Sequence, residues 1–357
     1  MKKFEFSQLF RSRPKPTIGV DVGSNSIKIV EFSGYGPNRS VRRIGRAKLP
    51  QEAIVDGTIK DPEAVSGALS GLVENLSPKT KKASTSISGY SVIVKRVNVP
   101  FDTEQEIEDN LLLEAEKYVP FEIDEVYVDF YILAGPSEGR TGSDIFLVAA
   151  KKEIVDEYAK LLESVGLTPS VIDVDAFALG NAFELAFGEV AEPAALIDIG
   201  ASKTNLNVLI KGTPVFARDM ALGGNQITDA ISEATGLSID DAEKAKISGT
   251  KDPVLKQEIA QVIREIISDW TEEIKKALDF YRSSAPPEEH PRHVFLSGGS
   301  CLLYGIEKPF AEKLNLEVRR LNPFDKIGHD KEINPDYLST VAPQFVIASG
   351  LGIRSSE

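Results

Sequence analysis

IGVDVGS at residues 18–24 and LIDIGAS at residues 196–202 are two versions of one pattern. Each is an apolar, largely β-branched run that ends in Asp-x-Gly and a small residue, and an alternating strand follows each. This arrangement predicts a β-hairpin whose tip carries one carboxylate and one glycine. Two such tips that face each other are suited to a nucleotide. The glycines let backbone N–H groups approach phosphate oxygens, and the aspartates are ligands for hydrated Mg²⁺.

A third element follows at VFLSGGS, residues 294–300, where another apolar strand ends in Gly-Gly-Ser before a helix-like stretch. Glycines at such a turn let a flat ring lie against the backbone, and this suits a purine. Each motif taken alone is also typical of an ordinary tight turn. The three together, in this order, favour a nucleotide site over three unrelated turns.

In this order the three elements resemble the phosphate-1, phosphate-2 and adenosine motifs of the actin-like ATPase superfamily. AEKAK at 242–246 and ASGL at 348–351 are similar to the superfamily's adenosine-contacting helix and to a connecting helix. The resemblance covers essentially the whole chain and implies an α/β fold with two actin-like, ribonuclease H-like domains. It also implies ATP and Mg²⁺ as cofactors, with Asp21 and Asp198 orienting the metal.

The same resemblance assigns the remaining cofactor contacts. Phosphates are expected on the two hairpins and at the start of a helix after Gly223 and Gly224, and the nucleoside on the later motifs. Lys28 is ambiguous, since it is placed either to reach a phosphate or to be solvated. The complete set is Asp21, Gly23, Ser24, Asn25, Ser26, Lys28, Asp198, Gly200, Ser202, Lys203, Thr204, Gly223, Gly224, Glu243, Lys246, Gly298, Gly299 and Ser300.

The composition sets limits on the class of protein. With 357 residues and 42% hydrophobic content, the chain is long enough for two domains with substantial cores. A net charge of -13 argues against non-specific nucleic-acid binding. The single Cys301 excludes an intrachain disulfide, and we expect it to be a packing residue in a protein of the reducing cytoplasm. We expect neither a signal peptide nor a membrane span, because no apolar run is long enough.

The order of predicted strands and helices divides the chain into four parts. Residues 1–16 form a basic amphipathic arm, suited to an anionic membrane surface or a partner groove, or else a frayed tail. The first domain is expected at 17–82, 167–187 and 340–357, with a helix at 61–76, and the second at 188–339. A capping box at Thr103 and Glu106 starts a helix inside a β-α-β-β-α pattern. We interpret that pattern as a small module inserted at 83–166.

The inserted module points to a particular branch of the superfamily. LEAEKYVPF at 113–121, GVDVGSNSIK at 19–28 and RDMALGGNQIT at 218–228 resemble the type IV pilus assembly protein PilM family, which is related to the cell-division protein FtsA. This resemblance implies an ATP-binding cytoplasmic scaffold at the inner face of the inner membrane. It would be held there through partners and would bind the N-terminal cytoplasmic segment of PilN, other platform proteins and, further, the pilus motor ATPases. The residues expected at the PilN groove are Tyr90, Val92, Tyr118, Pro120 and Phe121.

Two other functions stay open at this stage. One is an actin-like ATPase or kinase, with Asp173 at the start of the connecting helix, or its neighbour Asp175, aligning the attacking water or hydroxyl. A shorter Asp in place of the superfamily's Gln or Glu favours slow hydrolysis at most. The other is a filament-forming protein of the FtsA type. FtsA-like proteins carry a C-terminal amphipathic helix, which the sequence RSSE at 354–357 does not predict.

Overall fold

The computed structural model describes residues 15–135, 141–188, 190 and 192–356. Residues 1–14 of the predicted amphipathic arm lie outside the described residues. The chain forms two compact units. The first comprises the described residues of Met1–Val22, Ser26–Ala178 and Ala348–Glu357, and the second comprises those of Gly23–Asn25 and Leu179–Ile347.

The strands in chain order are β1 (Lys15–Pro16), β2 (Ile18–Val22), β3 (Ser26–Ser33), β4 (Ser40–Lys48), β5 (Ile54–Val55), β6 (Thr58–Ile59), β7 (Lys82–Ile87), β8 (Val92–Val99), β9 (Val126–Ala134), β10 (Ser143–Lys151), β11 (Thr168–Val174), β12 (Ala194–Ile199), β13 (Thr204–Ile210), β14 (Thr213–Met220), β15 (His293–Ser297), β16 (Glu317–Arg320), β17 (Gly328–His329) and β18 (Ser355–Ser356). The helices are α1 (Pro62–Leu76), α2 (Glu104–Ala115), α3 (Lys152–Ser164), α4 (Asp175–Phe187), α5 (Gly224–Thr235), α6 (Ile239–Ser248), α7 (Pro253–Ser284), α8 (Glu307–Leu314), α9 (Pro335–Val341) and α10 (Val346–Gly352).

The first predicted hairpin lies at the centre of the large sheet of the first unit. β2 and β3 are antiparallel, with Val22 opposite Ile27, and the strand order is β11-β7-β2-β3-β4. The predicted helix at 61–76 is confirmed as α1. Its N-cap, Asp61, accepts a hydrogen bond from the Ala64 N–H, so the helix begins where the sequence pattern expects it. α1 and α3 contribute to one hydrophobic cluster with strands of this sheet.

A second sheet of the first unit has the order β8-β10-β9, and α2 packs on one of its faces. The predicted capping box is confirmed, since Thr103 and Glu106 exchange hydrogen bonds at the start of α2. The predicted range 83–166 also contains elements of the larger core. β7 pairs with β2 and β11, and α3 packs in the large cluster. The separate core of the small sheet includes Val97, Ile107, Leu111, Ile145 and Leu147.

The second unit is built on the second predicted hairpin. β12 and β13 are antiparallel, and the sheet order is β14-β13-β12-β15-β16, with β15 parallel to both β12 and β16. The strand predicted before Gly-Gly-Ser is confirmed as β15, and a short 3₁₀ turn follows at Gly299–Leu302. α5 and α7 pack against this sheet around Trp270, so the hairpin and the Gly-Gly-Ser turn belong to one core. Within the described ranges, no helix has the length and apolarity that a bilayer crossing demands.

Candidate functional site

Three motifs that are distant in sequence meet in the second unit. The Gly200 carbonyl at the tip of the second hairpin accepts the Gly224 N–H at 3.0 Å and the Ser300 hydroxyl at 2.8 Å. The hairpin tip, the start of α5 and the Gly-Gly-Ser turn are therefore joined through a single carbonyl group. Within the same unit, the Ser24 and Ser202 hydroxyls lie 2.9 Å apart.

Close backbone approach explains two of the predicted glycines. A Cβ at Gly298, where φ is +85°, would lie 2.3 Å from the Ile199 carbonyl oxygen, so only glycine fits there. A Cβ at Gly223 would lie 2.4 Å from the Ala201 carbonyl oxygen. Gly299 differs, because it is exposed and a Cβ there would meet nothing within 4 Å. The turn thus offers an open stretch of backbone against which a flat ring can lie.

Lys246 and Glu243 of α6 form one network with α5. The Lys246 ammonium donates to the Gly224 carbonyl at 3.0 Å and to the Thr228 hydroxyl at 2.8 Å, and it lies 2.5 Å from a Glu243 carboxylate oxygen. The Thr228 hydroxyl is in turn 2.5 Å from the same carboxylate oxygen. The structure therefore brings together Glu243, Lys246 and the Gly223–Gly224 turn. Thr228 is a member of this network that the sequence motifs do not reveal, since an isolated helical threonine has no distinctive spacing.

The first N–H groups of α5 are engaged by the second hairpin. The Gly224 N–H donates to Gly200 as described, and the Asn225 N–H donates to the Ala201 carbonyl at 2.8 Å. The role predicted for Gly223 and Gly224 in holding a terminal phosphate stays a prediction. On the neighbouring loop, Lys203 contributes its carbonyl to the Gly200 N–H at 2.9 Å. The Thr204 hydroxyl donates to the Leu222 carbonyl at 2.8 Å.

Asp21 on β2 and Lys28 on β3 form an ion pair across the first hairpin, close to its tip. Lys28 Nζ lies 2.9 Å from Asp21 Oδ2, and both side chains are only 14% exposed. Of the two alternatives for Lys28, simple solvation is wrong, because the ammonium is mostly buried against a carboxylate. Ser26 is buried, and its carbonyl accepts from Lys28 Nζ at 3.4 Å. Asn25 and Gly23 are half-buried at the tip.

The donor chemistry fits a hydrated Mg²⁺ that is also bound by a nucleotide's phosphates. Asp198 is half-buried, and its Oδ1 accepts from the Ser297 hydroxyl at 2.6 Å. Among residues 15–135, 141–188, 190 and 192–356 there is no cluster of three or more His, Cys, Asp or Glu side chains arranged for a metal. Mg²⁺ commonly takes only one or two carboxylates and completes its shell with water and phosphate. The metal-binding role predicted for Asp21 and Asp198 stays a prediction.

Asp173 does not lie at the start of the connecting helix. It is the penultimate residue of β11, and α4 begins two residues later at Asp175. The Asp173 side chain is fully buried, and its Oδ2 accepts from Arg354 Nε at 2.6 Å. That position corrects the sequence-based placement, because the strand continues through Val174 by pairing with β7. A catalytic role for Asp173 stays a prediction.

Asp175 occupies the first turn of α4 and is held by two serines. Its carboxylate oxygens accept from the Ser86 hydroxyl at 2.6 Å and from the Ser88 hydroxyl at 2.7 Å. Burial raises the pKa of the nearby Tyr158, and the charges of Asp175, Glu157 and Asp21 add to this increase. Tyr158 therefore stays protonated and donates to the Gly57 carbonyl at 3.0 Å. The catalytic role of Asp175 likewise stays a prediction.

The predicted partner residues lie at two places around the small sheet. Tyr90, which is 77% exposed, lies two residues before the edge strand β8, and Val92 is the first residue of that strand. The others, Tyr118, Pro120 and Phe121, lie between α2 and β9.

Cation–π contacts connect this second group to the sheet. Lys95 Nζ lies 5.0 Å from the centre of the Tyr118 ring, and Lys151 Nζ lies 4.8 Å from that of Phe121. These contacts place the α2–β9 connection beside β8 and the end of β10.

Comparison with known proteins identifies the fold. A family model described as type IV pilus assembly protein PilM matches residues 19–356. A chain of the solved PilM-PilN type IV pilus biogenesis complex is 27% identical with a TM-score of 0.85, and the match covers 96% of this chain and 99% of that one. MreB5 of Spiroplasma citri bound to AMPPNP is 14% identical with a TM-score of 0.53 and 94% of each chain covered, which shows the fold alone.

A curated relative, cell division protein FtsA of Bacillus subtilis (strain 168), is 23% identical over 379 residues, with 94% of this chain and 82% of that protein covered. The predicted two-domain actin-like α/β fold is confirmed.

Proposed function

Since the chain belongs to the type IV pilus assembly protein PilM family, we propose that it is an ATP-binding scaffold of the pilus inner-membrane platform. Its partner would be the N-terminal cytoplasmic segment of PilN. The observation that carries this proposal is the similarity, over nearly the full length of both chains, to a chain of the PilM-PilN type IV pilus biogenesis complex. The proposed location is the cytoplasmic face of the inner membrane, where that segment is accessible.

The proposed nucleotide site uses the cluster of the second unit. Gly299 would accept the base on open backbone, with Gly298 allowing the turn its close approach to Ile199, while Glu243 and Lys246 would contact the ribose side. Asp198 is the carboxylate of this unit that we propose for hydrated Mg²⁺, and Asp21 is proposed as a ligand on the family resemblance alone. Binding of ATP would stabilise the arrangement of the loops that it contacts by mass action, and hydrolysis is not required for this effect.

The proposed PilN surface is the region around Tyr90 and the α2–β9 connection. β8 and β9 are the two outer strands of the order β8-β10-β9, so each has one side free of pairing within that sheet. An extended peptide can add its backbone to such an edge and place alternate side chains in neighbouring pockets. The exposed Tyr90 ring would supply apolar contact area before β8. The partly exposed Tyr118 and Phe121 rings would add contact area beside β8 and the end of β10.

The test is calorimetric titration with a synthetic peptide of the N-terminal cytoplasmic segment of PilN from the same organism, with and without Mg²⁺-ATP. We expect micromolar or tighter binding, and a change of affinity with ATP would measure the coupling between the two sites. Tyr90→Ser should weaken peptide binding at least about tenfold, as expected for an aromatic anchor. Tyr304→Ser is the control, because Tyr304 is fully exposed in the second unit and should have no effect.

The two parts of the proposal fail separately. Absence of peptide binding in both nucleotide states would remove the scaffold assignment and leave a nucleotide-binding protein of the actin-like fold. Absence of ATP binding alongside tight peptide binding would keep the scaffold and remove the nucleotide. Equal loss of binding in both tyrosine variants would refute the location of the peptide surface.

A further inference from the structure

The start of α5 lacks the side chain that normally caps a helix. Its N-cap is Gly223, whereas Ser, Thr, Asn and Asp are preferred because their oxygens accept the first free N–H groups. The Cβ of any such residue would lie 2.4 Å from the Ala201 carbonyl oxygen. The close approach of the second hairpin therefore excludes a capping side chain at the point where the proposed phosphate site needs a defined loop.

Gln226, three residues after the N-cap, takes over part of this role. Its Oε1 accepts the Gly223 N–H at 3.4 Å, and its Nε2 donates to the Ala221 carbonyl at 3.2 Å. The first of these bonds is the return half of a capping box. Gln226 is itself exposed and has several rotatable bonds, so it needs a rigid partner to hold the loop in one geometry.

Trp270 is that partner. It lies in the middle of α7, is 1% exposed, and its indole Nε1 donates to Gln226 Oε1 at 2.8 Å. A buried indole N–H requires an acceptor, and the packing around the ring fixes its direction. The core of the second unit is thus linked through Trp270 and Gln226 to the turn at Ala221–Gly223.

We propose that Gln226 and Trp270 are positioning residues for nucleotide binding, and this inference rests on the proposed nucleotide site. They hold the Gly223–Gly224 turn in the geometry in which Gly224 accepts from Lys246 and donates to the second hairpin. Neither side chain is assigned a contact with the nucleotide. Loss of either one should weaken ATP binding because the turn then samples other conformations and must be ordered on binding.

Trp270 is the one tryptophan of the chain. Tryptophan fluorescence therefore reports on the surroundings of its indole, including the hydrogen bond to Gln226. Mg²⁺-ATP added to the full-length protein should produce a saturable change in tryptophan emission. In Gln226→Leu we expect that change to be lost and ATP binding, measured by calorimetry, to weaken about fivefold to tenfold. Gln226→Glu keeps an acceptor for both N–H groups and should restore most of the emission change and the affinity.

Two further variants complete the experiment. Trp270→Phe keeps an aromatic ring, smaller than the indole, at this core position but lacks the N–H, and its ATP affinity should fall to about that of Gln226→Leu. Gln261→Leu is the matched control, because Gln261 is an exposed glutamine of α7 that bonds only Glu265 among the contacts described, and ATP affinity should be unchanged. Circular dichroism of each variant establishes that the fold is retained.

Wild-type ATP binding without a change in emission, together with unaltered affinity in Gln226→Leu and Trp270→Phe, would overturn the inference and leave the proposed function intact. Equal weakening in Gln226→Glu and Gln226→Leu would also overturn it, because the acceptor would then be irrelevant. Absence of ATP binding by the wild-type protein would refute the nucleotide part of the proposed function, and the inference would fall with it.

Discussion

Arg354→Met should destabilise the first unit by breaking a buried ion pair whose partners are 181 positions apart in the sequence. Asp173 is 0% exposed and receives Arg354 Nε on one carboxylate oxygen and the Val174 N–H on the other. Burial lowers the pKa of Arg354, but the charge of Asp173 and its hydrogen bond outweigh this, so that pKa lies above its ordinary value. Methionine preserves the apolar stem of the side chain and removes only the guanidinium.

The expected loss follows from the difference in burial between the partners. Removing one member of a buried ion pair costs about 3–5 kcal/mol, because the other charge stays in a poorly solvated site. The Arg354 side chain retains 23% exposure, so water can partly replace it at Asp173, and the lower end of about 3 kcal/mol applies. A loss of that size is a large fraction of the 5–15 kcal/mol typical of a folded domain.

Hydrogen exchange of the β11 amides is the appropriate assay, because the two units need not unfold in a single transition. Arg354→Met should speed that exchange by the factor that corresponds to about 3 kcal/mol, roughly a hundredfold. Adding Asp173→Asn should recover at least half of the loss, since a neutral amide requires no counter-charge. Arg319→Met, which breaks an exposed pair with Glu317 in the second unit, is the control and should leave the exchange of the β11 amides unchanged. A loss below about 1 kcal/mol in Arg354→Met, or additive effects of the two substitutions, would refute the reasoning.

Four further outcomes are expected. Asp21→Asn should abolish Mg²⁺-ATP binding in calorimetry and lower the free energy of unfolding by only about 1–3 kcal/mol, the range for a hydrogen bond to a charged group such as Lys28; wild-type affinity in this variant would contradict the site. Gly298→Ala should cost at least about 1–3 kcal/mol in urea unfolding, because its φ of +85° strains any other residue. Gly299→Ala should leave stability unchanged and weaken only nucleotide binding, and equal instability of the two variants would count against this distinction. Burial raises the pKa of the Cys301 thiol, so we expect no reaction with a thiol reagent at pH about 8 until denaturant is added; rapid labelling of the folded protein would disprove it.

Elements marked by local patterns could be predicted because their signals come from neighbouring residues. The two Asp-x-Gly hairpins, the helix that starts after Asp61 and the capping box at Thr103 all follow from strand alternation, turn chemistry and caps. The end of β11 could not be predicted in this way. Its pairing with β7 places Asp173 opposite Ser86 and extends the strand to Val174, although the local pattern favours an earlier start of the helix.

The sequence by itself determined the order of hairpins and helices and the glycines at tight turns, and it predicted a nucleotide as the class of ligand. Only the tertiary structure decided which side chains work together. Arg354 meets Asp173 across 181 positions, and Trp270 meets Gln226 across 44. The physical reason is that backbone conformation depends mainly on nearby residues, whereas a hydrogen-bond partner depends on strand order and helix packing, which bring distant segments together.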